Sequence, residues 1–184
     1  SRVIFRHILP FTVAELNEAP TTNPLTLTAI AEDGSPRVIT QAELLASASD
    51  VDGSSLTATG LAISAGSGTL NDNGDGSWTY TPALNDDTAV SLSYTVTDGS
   101  LTALGSATLD IAALNDAPVI TAASLNLEPG QALLLSTADL RADDVDSSTS
   151  ALIFDVRNVT AGHFELAANP GVPVDQFTQA QVAQ

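Results

Sequence analysis

The sequence predicts an all-β chain: short antiparallel strands in two facing sheets, in units that repeat along the chain. Three observations carry this. Residues 77–114 alternate apolar and polar side chains with a period of two. Turn signals, Asn85-Asp86-Asp87 and Asp98-Gly99, separate the alternating runs. The words Leu16-Asn17-Glu18-Ala19-Pro20 and Leu114-Asn115-Asp116-Ala117-Pro118 are nearly identical and lie one small domain apart.

The expected elements follow in order. Pro24–Glu32 reads as a first strand and Arg37–Thr40 as a second. Gln41–Ser49 has helical propensity but no obvious cap, so it reads as a brief helical turn or an irregular connection. Ser55–Ser64 and Gly68–Leu70 give two further strands. Ser77–Ala83 places Trp78 and Tyr80 on one face, which points to the core. Ala89–Val96 sets Val90, Leu92, Tyr94 and Val96 against Ser91, Ser93 and Thr95. Ser106–Leu114 repeats the pattern with Ala107, Leu109 and Ile111. Seven strands of this kind are the count of an immunoglobulin-like Greek-key sandwich. Asn71, Asn73 and Asp75 imitate the start of a calcium loop, but the Glu that must close that loop at its twelfth position is absent. A hairpin turn is the expected reading.

After Pro118 the pattern starts again. Val119–Gly130 parallels Leu25–Gly34, and Ser136–Asp146 parallels Thr40–Asp52. The expected organisation is therefore residues 1–16 as the last strand of a preceding repeat, 17–114 as a complete repeat, and 115–184 as a second, C-terminally incomplete one.

Composition limits the partners. There are 22 acidic residues against 5 basic ones, a net charge of −17. This argues against nucleic acid and against anionic membrane, and permits a cation. The chain has no Cys and only His7 and His163, so a structural zinc cluster is not expected. The histidines read as surface or structural residues. Oxygen donors are plentiful, which favours calcium over magnesium. No apolar run is long enough to span a membrane. The sequon Asn158-Val159-Thr160 is a glycan acceptor only in a eukaryotic source.

Asp50-Val51-Asp52-Gly53 presents two carboxylates at i and i+2 with a glycine to turn the chain. Asp98 follows the sixth strand, which ends at the same pole as the second. Asn17 and Glu18 enter that pole from the linker, so five oxygen-bearing side chains can converge on one ion. The bland alternative is a set of solvated turns, since Asp and Gly are ordinary turn residues. Recurrence of the pair as Asp144-Val145-Asp146 favours the metal. At the opposite pole Glu32 is expected to meet Asn115 and Asp116 of the outgoing linker, with Asp144 and Asp146 beyond. Its alternative is an exposed turn glutamate. No catalytic motif is present: no G-x-S-x-G, no Cys nucleophile, no H-E-x-x-H. No enzymatic activity is expected.

Ser93–Pro118 resembles the closing segment of cadherin repeats, above all the cadherin-like tandem repeats of large bacterial surface proteins and RTX-type adhesins. Gly68–Ala83 resembles the hairpin of those same repeats. The second module resembles a chondroitin sulfate proteoglycan-type repeat, a relative of that fold. The resemblance implies β-sandwiches with calcium at their junctions. It matches Asp50 and Asp52 to the D-x-D pair, Asp98 to the sixth-strand aspartate, Glu32 to the first-strand glutamate, and Asn115 and Asp116 to the linker pair. Ala113 and Leu114 replace the further linker aspartate, and no D-R-E segment is present. The resemblance therefore implies one ion per junction, or binding in the ~10⁻⁴–10⁻³ M range of extracellular modules, rather than a three-ion cluster.

The expected function is a calcium-stiffened structural repeat of a secreted or cell-surface adhesin, which spaces and presents distal binding domains. Its partners would be neighbouring repeats and, through unpaired strand edges, further copies of itself. The alternative is a glycan- or protein-binding module, possibly accessory to a secreted hydrolase.

Overall fold

The computed structural model describes residues 3–4, 16–53 and 55–182; the expected last strand of a preceding repeat, 1–16, falls almost wholly outside the described residues. The chain divides into two compact units, Ser1–Ala113 and Leu114–Gln184.

The first unit contains all seven expected strands. They are β1 (Leu25–Ala31), β2 (Arg37–Thr40), β3 (Thr57–Ala65), β4 (Thr69–Asp72), β5 (Ser77–Thr81), β6 (Val90–Thr97) and β7 (Thr102–Ala112). One sheet runs β1-β7-β6-β3 and the other β2-β5-β4. β1 lies parallel to β7, and every other pairing is antiparallel. The alternation in β6 and β7 buries every second residue. Leu92, Tyr94, Val96, Leu109 and Ile111 thus pack against Ile39, Trp78 and Tyr80 of the facing sheet. Trp78 and Tyr80 are 3% and 1% exposed.

Buried tyrosines need partners for their hydroxyls. Tyr94 Oη donates to the Leu44 carbonyl at 2.9 Å, and Tyr80 Oη donates to the Ser67 carbonyl at 2.9 Å. Gly105 faces Tyr94 across the ladder. A Cβ there would stand 2.4 Å from the Tyr94 ring, so the aromatic occupies the space of the missing side chain.

The stretch after β2 is better specified than its length suggests. Helix α1 (Gln41–Leu44) carries a complete capping box. The Glu43 carboxylate accepts from the Thr40 amide and hydroxyl, and from Arg37 at 2.6 Å. This corrects the expectation of an uncapped segment: Thr40-Gln41-Ala42-Glu43 is itself the cap. Gln41 also clamps the Ala58 backbone, donating to its carbonyl at 2.6 Å and accepting from its amide at 2.8 Å.

The second unit is also built of strands, but each ladder has two. β8 (Val119–Ala123) pairs with β9 (Leu140–Asp143), β10 (Ile153–Asp155) with β13 (Gln176–Thr178), and β11 (Phe164–Glu165) with β12 (Pro173–Val174). The parallel drawn between Val119–Gly130 and the first strand holds only as far as Ala123. Beyond it come irregular backbone and a turn at Gly130, which has a left-handed φ of 80°. The apolar centre is Phe177, flanked by Phe154 at 5.6 Å and Phe164 at 5.5 Å between ring centroids, with Leu152 and Val182 buried. Helix α2 (Gln179–Val182) repeats the local device of α1. The Gln181 side chain caps the Thr178 amide at 2.8 Å, and Gln179 accepts from the Ala142 amide at 2.7 Å.

Candidate cation site at the linker end of each unit

In the first unit a short bridge brings the linker to the D-V-D turn. Thr21 and Ser49 exchange backbone hydrogen bonds of 2.8 and 2.9 Å. Ser47 Oγ donates to the Asn23 carbonyl at 2.7 Å. The chain leaving Pro20 therefore runs beside the chain that leads to Asp50. Thr21, Ser47 and Ser49 carry no signal in the sequence beyond their small polar character.

Asp50 and Asp52 form a tight turn. The Asp52 amide donates to Asp50 Oδ1 at 2.8 Å, and Gly53 closes the turn with a φ of 72°. Asp52 Oδ2 accepts from the Glu18 amide at 2.6 Å. Asp98, one residue past β6, accepts from the Ser100 and Leu101 amides through Oδ1 at 2.6 and 2.7 Å, and from Asn17 Nδ2 through Oδ2 at 2.8 Å. The bond from Leu101, then those from Asn17 and Ser100, hold the Asp98 carboxyl below its usual range. Asn17, Glu18, Asp50, Asp52 and Asp98 thus share one hydrogen-bonded pole, Glu18 through its backbone amide; Asn17, Glu18 and Asp52 are exposed, and Asp50 and Asp98 are half-buried. Glu32 does not join them. It follows β1 at the far end of β7, ~35 Å along an 11-residue strand from the Asp98 end. There it is 4% exposed, and its amide donates to the Ala112 carbonyl at 3.0 Å. It is not the exposed turn residue of the alternative reading.

The second unit repeats the arrangement with Asp116, Asp144 and Asp146. The Asp116 amide donates to Asp146 Oδ2 at 2.5 Å, and the Asp146 amide to Asp144 Oδ1 at 2.9 Å. Asn115 Nδ2 donates to the Asp116 carbonyl at 2.8 Å, as Asn17 Nδ2 does to the Glu18 carbonyl at 3.4 Å.

Whether these residues suit a cation can be judged from the donors. Among the described residues no three His, Cys, Asp or Glu side chains gather closely enough to form a metal cluster by themselves. One atom nevertheless favours a cation: Asp50 Oδ2 is buried and has no hydrogen-bond partner. A buried carboxylate oxygen left unpaired is costly, and a hard cation satisfies it. The donors at this pole are all oxygens, which is the set calcium takes, with side-chain amides, carbonyls and water completing the shell.

Residues 16–112 match the cadherin-like domain family, and residues 118–184 match a second cadherin-like family. Extracellular matrix protein 3 of Lytechinus variegatus is 33% identical over 67 residues, 36% of this chain. Extracellular matrix organizing protein FRAS1 of Mus musculus is 34% identical over 94 residues, 49% of this chain. The chain spans about 2% of the length of each of these curated relatives. Among solved structures, an endo-fucoidan hydrolase of glycoside hydrolase family 107 aligns over 59% of this chain and 17% of its own, at 23% identity and a TM-score of 0.36. That likeness is too slight to bear on function. The match over 16–112 alone covers more than half of the sequence, and the chain belongs to the cadherin-like domain family.

Proposed function

We propose that this chain is a calcium-stiffened spacer from a secreted or cell-surface adhesion or matrix protein, in which tandem sandwiches carry distal binding domains away from the surface. The observation that carries the reading is the buried, unpartnered Asp50 Oδ2 beside a linker already held by Asp52 and Asp98. Cadherin-like domains generally bind calcium, and the curated relatives named above are matrix proteins by their printed names. Asp50, Asp52, Asp98 and Asn17 would hold the ion in the first unit, with Asp144, Asp146, Asn115 and Asp116 as its counterpart set in the second; Glu18 and Glu32 are proposed as contributors at the two poles of the first. A bound calcium supplies positive charge among crowded carboxylates. The chain's own part is to fix those oxygens on turns and to tie the linker to them.

The parent is proposed to be a large bacterial adhesin of the RTX type, on the resemblance of the β6–β7 hairpin and linker; the spacer role is the same in an animal matrix protein. No catalytic role is proposed. Burial of Trp78 and Tyr80 removes the aromatic pair that a glycan platform in the first unit would have used. The test is melting with and without millimolar calcium on wild type and on Asp50→Ala/Asp52→Ala. A calcium-dependent rise lost in the variant supports the reading, and small-angle scattering then tests rigidity. Identical melting with and without calcium would remove it.

A further inference from the structure

The linker enters both units through the same pair of hydrogen bonds. In the first unit the Glu18 amide donates to Asp52 Oδ2, and Asp52 is oriented by Asp50; in the second the Asp116 amide donates to Asp146 Oδ2, and Asp146 is oriented by Asp144. The elements before the two turns differ, helix α1 in one case and strand β9 in the other. The linker residues differ as well, Glu in one and Asp in the other. The shared feature is an amide one residue after the linker asparagine, seated on the second aspartate of D-V-D.

We infer that this second aspartate is a metal-independent latch, which ties the incoming linker to its own unit whether or not calcium is bound. Two features separate it from an ordinary turn. The bonds join residues 34 and 30 positions apart, so they close long loops rather than cap local ones. Each acceptor is a charged carboxylate oxygen, which makes a stronger hydrogen bond than a neutral carbonyl does. The latch engages Asp52 through Oδ2 and leaves Asp50 Oδ2 unengaged, so that oxygen remains open to the cation proposed above. It predicts that calcium acts on a linker whose entry point is already fixed.

The test is amide hydrogen exchange followed by NMR on the whole chain in chelator. The Glu18 and Asp116 amides should exchange about tenfold or more slowly than those of Ala19 and Ala117. Asp52→Ala should release Glu18 alone, and Asp146→Ala should release Asp116 alone. Slow amides in β6 and at Ala142 would show that each unit remains folded. If Asp52→Ala disturbs β6, Asp52→Asn decides: it keeps an acceptor oxygen and should keep Glu18 protected. Free-chain exchange at Glu18 and Asp116 in chelator overturns the latch. So does protection that arises only when calcium is added, although that result would support the calcium reading. Protection in chelator that calcium leaves unchanged would uphold the latch, and the calcium reading then stands or falls on the melting shift.

Discussion

The two units share their small devices and differ in their sheets. Both hold the linker amide on a D-V-D aspartate, and both use a Thr-Gln-Ala sequence to cap a short helix and clamp a strand backbone. The first unit builds four- and three-stranded sheets around a core of aromatic and aliphatic residues. The second has two-stranded ladders around Phe177 and leaves Val119, Ile120 and Ile153 more than half exposed. Local hydrogen-bonding motifs therefore persist without a large core, while stability follows the number of strands that share one. The first unit should be the more stable of the two.

The sharpest way to break this comparison is to truncate a buried leucine of the first unit and an exposed leucine of the second. Leu92→Ala in β6, at a site 1% exposed, should cost the first unit about 2–5 kcal/mol. Trp78 is the only tryptophan, so its fluorescence reports that unit during denaturant unfolding. Leu134→Ala, at a site 74% exposed in the second unit, should change stability by less than ~0.5 kcal/mol. Equal effects would mean that the exposed leucine is covered in solution.

A smaller effect should come from the shared caps. Thr40→Ala and Thr178→Ala should each cost about 1 kcal/mol of local stability, read as faster exchange in the helix that follows. A large loss at one and none at the other would show that the caps only look alike.

The smallest effect is one of pH. Burial pushes Glu43 upward, but its bonds to the Thr40 amide and hydroxyl and the Arg37 charge outweigh that and hold it below its ordinary value of 4.5. Asp98 is held below 3.8 by the Leu101, Asn17 and Ser100 bonds. Depressed carboxylates give stability that is fully present above those ordinary values and is lost as pH falls through the folded ones. Melting of the first unit should be flat from about pH 7 to 5 and should decline below ~4. Asp98→Asn should flatten part of that decline, and a profile unchanged by this substitution would contradict the assignment.

Much of this was readable from residue order. Strict alternation from Ser77 to Ile111 specifies β5, β6 and β7, because only one register buries every second residue. The capping box at Thr40 and Glu43 was equally legible, and the shortness of the helix hid it. Leu125 and Leu127 misled, since an apolar pattern without a partner strand makes no ladder. The meeting of Asn17 with Asp98 required the topology as well as the motifs. The burial of Asp50 Oδ2 depends on packing between segments that no local pattern encodes.

The central claim is that cation binding at the D-V-D pole stabilises the unit. The most direct test is calorimetric melting across a calcium titration, comparing wild type with Asp50→Ala/Asp52→Ala. The account predicts that millimolar calcium raises the melting temperature of wild type and leaves the variant unmoved. Wild-type melting that does not respond to calcium, or a variant that responds as wild type does, would contradict it.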